Sequence, residues 1–134
     1  MLKKIAIVSS NYLNIKSFLS KQIENLSKDY LIQIYTNIEK SDRLSENKNK
    51  NIKFIHLPIK RNVNLLKDLE CFFKLTFFIF KFKPDLIMTL TPKGGLLGIL
   101  TSFILNIKIR IHYYTGQVWV TRKGFIKKLL KQVD

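Results

Sequence analysis

Two hydroxyls, a lysine and a pair of glycines crowd one short turn of this chain. In "TLTPKGG" they are Thr89, Thr91, Lys93, Gly94 and Gly95, with Pro92 among them. An apolar run, "DLIMTLT", leads into the turn, and a second, "GGLLGILTSFILN", leads out. Ligands of open α/β sheets sit outside the carboxyl ends of the strands, so a polar turn after a buried strand is where chemistry is sought first. Glycines let a backbone approach a ligand closely. The first amides of the following helix can meet an anion, and Lys93 adds a formal charge beside them. Together they form a candidate contact for a phosphate or a sugar diphosphate. A plainer account is that the glycines only allow tight strand-to-helix packing. Both remain open at the level of sequence.

Two further strand ends qualify. The first expected strand, "KKIAIVS", runs into Ser9, Ser10 and Asn11. The fifth runs into "YTGQVW", where Gly116 permits a sharp turn, Thr115 and Gln117 project polar groups, and Trp119 offers either a stacking face or a core plug. No dinucleotide fingerprint, phosphate-binding P-loop or nucleophile elbow is present. His56 and His112 fall inside expected strands among apolar neighbours and read as satisfied strand residues. Asp85, opening a strand after a proline, reads as structural. No His, Cys or carboxylate cluster has metal-ligand spacing, so neither a metal nor a cofactor is expected.

The elements that position these turns follow from periodicity. "YLIQIYTN" and "IKFIHLP" read as the second and third strands, and "KIRIHYYTG" as the fifth. "IKSFLSKQIENLSKDY" places Ile15, Phe18, Leu19, Ile23 and Leu26 at helical spacing, with cap chemistry at Asn11 and Asn14. "VNLLKDLECFFKLTFFIFKFK" is a long helix, apolar on nearly all faces towards its end and stopped by Pro84. "IEKSDRLSENKNKN" is polar and aperiodic, hence a mobile loop. The near-continuous apolar character of the fourth strand suits a parallel strand covered on both faces. Alternating strands and helices predict an α/β fold, a doubly wound parallel sheet of about five strands in one domain spanning 1–134. "FIKKLLKQVD" carries an apolar stripe with no capping signal, which predicts a truncated pattern.

Composition sets wider bounds. A chain of 134 residues with 46% hydrophobic and 25% charged residues is ordinary for one globular domain. The formal net charge of +15 favours phosphates, nucleic acid or an anionic membrane surface, although a lysine-, asparagine- and isoleucine-rich coding bias would also produce it. The basic residues form no single stripe and no nucleic-acid-binding signature, so nucleic acid is not expected as a partner. The single cysteine, Cys71, excludes an internal disulfide. The apolar N-terminal run is too short for a signal peptide, and no run reaches the length of a membrane span. A cytoplasmic protein is expected.

These segments resemble, in order, the N-terminal half of family 4 glycosyltransferases of the GT-B fold, in the bacterial branch that builds surface polysaccharide. "KKIAIVSS" resembles the family's first strand. "IHLPIKRNVNLLKDLECFFKLTFFIFKFKPDLIMTLTPKGGLLGIL" resembles its proline-and-basic loop, long helix, strand entry and glycine turn. "RIHYYTGQVWVTRKGFIKKLLKQVD" resembles its fifth strand and the turn that follows. The likeness spans nearly the whole chain, and Lys83–Gly98 and Arg110–Gly124 carry its most specific residues.

The resemblance implies a Rossmann-like domain lining the acceptor side of a cleft, with a separate C-terminal domain, absent here, gripping a nucleotide-sugar donor. Thr91, Lys93 and Gly94 would then face the acceptor or the transferred sugar. Thr115, Gly116 and Gln117 would lie on the neighbouring loop, and Ser10 and Asn11 on the first. Lys60 and Arg61 would suit a lipid-linked acceptor diphosphate. Many relatives carry histidines where this chain has Leu90 and Thr115, so the resemblance supplies no catalytic base. The implied chain works in capsule, O-antigen or other surface-polysaccharide synthesis, peripheral at the inner face of the plasma membrane. It is inactive alone, and its partners include a separately encoded C-terminal half. The alternative is a non-catalytic membrane-surface or partner-binding module that works with a donor-binding subunit.

Overall fold

The computed structural model describes residues 3–38, 49–60 and 64–115. In chain order the elements are β1 (Lys3–Val8), α1 (Tyr12–Leu26), β2 (Tyr30–Thr36), β3 (Ile52–His56), α2 (Leu65–Phe82), β4 (Leu86–Leu90), α3 (Pro92–Ile104) and β5 (Ile109–Tyr113). The five strands form one parallel sheet in the order β3-β2-β1-β4-β5. β1 is central, pairing Lys3 with Tyr30 on one side and Ile5 with Leu86 on the other. The chain passes from the β3 edge to β4 across β1, which makes the β1–β4 boundary the topological switch point.

Strand pleating sorts the core into two clusters. Ile5 and Ile7 of β1 join Ile32 and Ile34 of β2 against Ile15, Leu19 and Ile23 of α1. Their neighbours Ala6 and Val8 join Tyr35 and Ile87 against Cys71, Leu75 and Ile79 of α2 and Leu97 of α3. The period of two in the strands and of three to four in the helices accounts for this division. The Tyr35 hydroxyl donates to Gln33 Oε1 at 2.7 Å, and burial pushes its pKa upward. Burial likewise raises the Cys71 thiol, whose Sγ lies 3.4 Å from the Pro58 carbonyl oxygen.

Helix boundaries follow local chemistry. Asn11 caps α1 by accepting the Leu13 N–H at 2.9 Å, so the helix starts at Tyr12, before the first position of the periodic pattern. Of that pattern, Ile15, Leu19 and Ile23 are buried, whereas Phe18 is 43% exposed at the margin of the stripe. Asn64 and Asp68 cap α2 reciprocally: Asn64 Oδ1 accepts the Lys67 N–H and Asp68 Oδ2 accepts the Asn64 N–H, each at 3.1 Å. This is close kin to a capping box. At the other end Lys83 turns left-handed (φ 52°) and donates its N–H to the Ile79 carbonyl just before Pro84. Asp85 is structural, as expected: its Oδ2 accepts the Lys4 N–H at 2.8 Å and fastens β4 to β1.

The expectation that β4 is covered on both faces holds fully on one face and in part on the other. Ile87 and Thr89 are buried beneath α3; on the opposite face Leu90 is buried in the α1-side cluster, whereas Leu86 and Met88 are only half-buried. On that face α1 covers β1 and β2. Ile109, Ile111 and Tyr113 of the edge strand β5 are exposed there among the described residues. An apolar sequence does not report which helix lies above it. Among the described residues no helix is long and apolar enough to cross a membrane.

Candidate functional site

At the switch point the carboxyl ends of β1 and β4 are joined by a clasp of hydroxyls. The Ser10 N–H and Ser10 Oγ–H both donate to Thr91 Oγ1, at 3.1 and 2.9 Å. The Gly94 N–H donates to the same oxygen at 3.3 Å, so Thr91 also caps α3. Ser9 Oγ donates to the Asn11 carbonyl at 3.0 Å and tightens the turn beneath. Ser9, Ser10 and Thr91 are all buried.

Thr91 holds an unusual backbone, φ 64° and ψ 148°. A β-branched residue there is strained, at a cost on the order of 1–3 kcal/mol. Its hydroxyl oxygen, with two lone pairs shared among three donors, gains about two hydrogen bonds' worth of stabilisation, each about 0.5–1.5 kcal/mol net, which offsets that cost. Gly95 N–H also donates to the Thr91 carbonyl at 2.7 Å.

The glycines of the turn meet the chain itself. A Cβ on Gly94 would lie 3.0 Å from Ser9 Cα and 3.2 Å from Ser10 N. A Cβ on Gly95 would lie 2.6 Å from His112 Cε1. Tight packing of α3 on the sheet therefore accounts for both residues. His112 is a satisfied strand residue, as expected, with Nδ1 2.8 Å from Thr89 Oγ1 and its ring edge-on to Tyr114. His56 is satisfied too, accepting the Ile38 N–H at Nδ1.

Lys93 is not a loose cation waiting for an anion. Its Nζ donates to Asp68 Oδ1 and Oδ2 at 2.8 and 3.0 Å, linking the first turn of α3 to the first turn of α2. The hydrogen bond from Lys93 holds the Asp68 carboxyl below the usual aspartate range, which makes it a weak base. Sequence reasoning passed over Asp68, since only the fold brings α2's start to the rim of β4.

Of the residues proposed from sequence, Ser10, Thr91 and Gly94 come together, with Asn11 and Lys93 at the margins. Asn11 is committed to capping α1. Thr115 is half-buried just beyond β5. Arg61, Gly116 and Gln117, with Trp119, lie outside the described residues, as do the C-terminal stripe and most of the expected mobile loop. Among the described residues Thr36 Oγ1, at the carboxyl end of β2, is buried with no hydrogen-bond partner. Among the described residues no group of His, Cys, Asp and Glu is arranged to hold a metal. The clasp is thus a rigid, closed set of hydroxyls at the end of the sheet where ligands of open α/β folds are sought.

No family model matches the chain. Over 69 residues it is 38% identical to the capsular polysaccharide biosynthesis glycosyltransferase CapM of Staphylococcus aureus, a match spanning 52% of this chain and 18% of that protein. In structure it superposes on MurG of Acinetobacter baumannii with a TM-score of 0.61 at 17% identity, covering 98% of this chain and 38% of MurG. It superposes equally on the UDP-GlcNAc 2-epimerase of Methanocaldococcus jannaschii, with a TM-score of 0.61 at 19% identity, covering 97% of this chain and 37% of the epimerase. The chain accordingly spans well under half the length of these proteins. It shares the Rossmann-like fold of the two solved structures and, over about half its length, is homologous to a capsular polysaccharide glycosyltransferase.

Proposed function

We propose that this chain is the acceptor-side domain of a family 4 glycosyltransferase in surface-polysaccharide synthesis. The observation that carries this reading is the 69-residue match to CapM. The clasp between Ser10 and Thr91 at the switch point supports it, because a ligand site is sought at that place in the sheet. The acceptor is a saccharide, lipid-linked through a diphosphate, held over Ser10 and Thr91 with Lys93, Gly94 and the Thr115 turn beside it. The nucleotide-sugar donor is gripped by a second domain, supplied in the same or a separate polypeptide. Transfer needs a held and stabilised leaving diphosphate together with an aligned acceptor, so the 134-residue chain alone is inactive.

Amide NMR of the chain, titrated with a short-chain prenyl-diphosphate sugar and separately with nucleotide sugars, tests this. The acceptor analogue should shift the Ser10, Thr91 and Thr115 resonances, and Thr91→Val should abolish the shifts. Nucleotide sugars should leave them unmoved. Binding of nucleotide sugars alone, or sugar transfer by the isolated chain, would overturn the assignment.

A further inference from the structure

Three features ordinarily draw a phosphate to a strand end: the first amides of a helix, a nearby cation, and space opened by glycine. At the switch point the chain turns them on itself. In the first turn of α3, Pro92 has no N–H, and the Gly94 and Gly95 N–H groups both donate to Thr91, to Oγ1 at 3.3 Å and to the carbonyl at 2.7 Å. The space beside Gly94 is taken by the Ser9 and Ser10 backbone. Lys93 Nζ is gripped by both carboxylate oxygens of Asp68, with the two side chains only 14% and 21% exposed. Asp68 is itself fixed, because its Oδ2 also accepts the Asn64 N–H at the start of α2. An anion that reached Lys93 would meet this carboxylate at the same moment, and like charges brought together repel.

Proton counting at the clasp gives the complementary result. Ser10 Oγ and Thr91 Oγ1 make one contact, at 2.9 Å, and bring two hydroxyl protons to it. The Ser10 and Gly94 N–H groups also point at Thr91 Oγ1. One hydroxyl proton is therefore left over whichever oxygen donates, and among the described residues no group accepts it. Ser10 and Thr91 are 7% and 8% exposed, so this proton belongs to side chains more than nine-tenths buried. A buried donor without an acceptor costs about 1–3 kcal/mol, which a ligand oxygen can relieve. Lys93 and Asp68 together add no net charge beside it. A sugar hydroxyl or ring oxygen meets that need without bringing the charge of a phosphate.

We propose that Asp68 sets the specificity of this end of the sheet: by holding Lys93 it keeps phosphates out, and the clasp takes an uncharged oxygen of a saccharide. Asp68 is a positioning residue, acting through Lys93 without touching the ligand. The inference rests on the proposed function for the saccharide and deepens it, since it assigns the sugar of the acceptor, and not its diphosphate, to Ser10 and Thr91. The exclusion of phosphate stands on the geometry alone and needs no sugar to be tested.

Amide NMR of the full chain, titrated with pyrophosphate, tests that exclusion. The wild-type Ser10, Thr91 and Gly94 resonances should stay unmoved. Asp68→Asn keeps an oxygen for the Asn64 N–H but removes the negative charge, and should bind pyrophosphate at least about tenfold more tightly, read at Gly94. Asp68→Ser, a second route to the same change of charge, should repeat the gain. Asp68→Asn/Lys93→Gln should lose it, which separates a released cation from a loosened fold. Pyrophosphate shifts at the clasp of wild type, or no gain in either single variant, would overturn the role of Asp68. A second arm sets a short-chain prenyl diphosphate against the same compound carrying its sugar. Only the sugar-bearing compound should move Ser10 and Thr91, and equal shifts from both would overturn the saccharide assignment. No shift from either would overturn that assignment and the proposed function together, while the pyrophosphate arm still decides the role of Asp68.

Discussion

At the carboxyl ends of β1 and β4, three buried residues, Ser9, Ser10 and Thr91, close on one another with almost no free space. At the amino ends of the same strands lies a groove of about 1030 Å³, lined by Ile5, Leu86, Met88, Ile109 and Ile111 and rimmed by lysines. The larger hollow is the less promising one, and strand direction explains why. In a parallel sheet every strand leads at its carboxyl end towards a helix start, where unpaired N–H groups gather. The amino ends receive helix finishes, where carbonyls gather and cations are favoured. Lys4 Nζ accordingly donates to the Phe82 carbonyl at the end of α2 at 3.1 Å. Polarity of the sheet, more than volume, marks the end at which a ligand site is sought.

The contrast can be broken most forcefully at Gly94. Alanine there gains up to about 1 kcal/mol of helix propensity. Its Cβ would press on the Ser9 and Ser10 backbone, which cannot swing away, at about 1–3 kcal/mol or more. A net loss of about 2 kcal/mol in urea unfolding is expected for Gly94→Ala. A stabilised variant would show the clasp to be loose.

The rim beside it should respond to acid. The folded-state pKa of Asp68 is lowered, so its contribution is present above the ordinary aspartate pKa of about 3.9 and is lost as pH falls through the folded value. Lys93→Met should therefore reduce the urea midpoint at pH 7, and the gap to wild type should narrow by pH 3. A gap unchanged with pH would remove the ion pair from the account. The smallest effect belongs to the groove. Ile111 is 40% exposed, and Ile111→Ser should stay within about 0.5 kcal/mol of wild type. A loss several times larger would mean that the face is covered in solution and that the two ends of the sheet are less unlike than they look.

Much of the fold was legible because the chain punctuates itself. Pro84, the β-branched runs and the asparagine caps fix where elements change, and the strands fall where the alternation predicts, trimmed at their ends. β3 stops at His56, short of Pro58. α3 begins at Pro92, ahead of the glycines, since Thr91 supplies the cap. Thr91 and Ser10 were legible as candidates from their positions at strand ends. Their direct bond was not, because two residues 81 apart in sequence carry no local sign of each other. Lys93 looked available for the same reason: Asp68 sits a whole strand and helix away. Coverage of β4 was legible only in part, because an apolar strand records its own preference for burial and nothing of its neighbours.

The central position of β1 also bears on how the chain folds. Its partner β2 is close in sequence, with Lys3 opposite Tyr30, whereas β4 arrives only after α2, with Ser10 and Thr91 81 residues apart. Closing the longer loop costs about 1 kcal/mol more in chain entropy than closing the shorter one. Local pairing is accordingly favoured early, and the β1–α1–β2 unit forms ahead of the β1–β4 seam. The hydroxyl clasp at the switch point is then expected only once the β1–β4 seam has closed, so a polypeptide that presents it has already joined the two halves of its sheet.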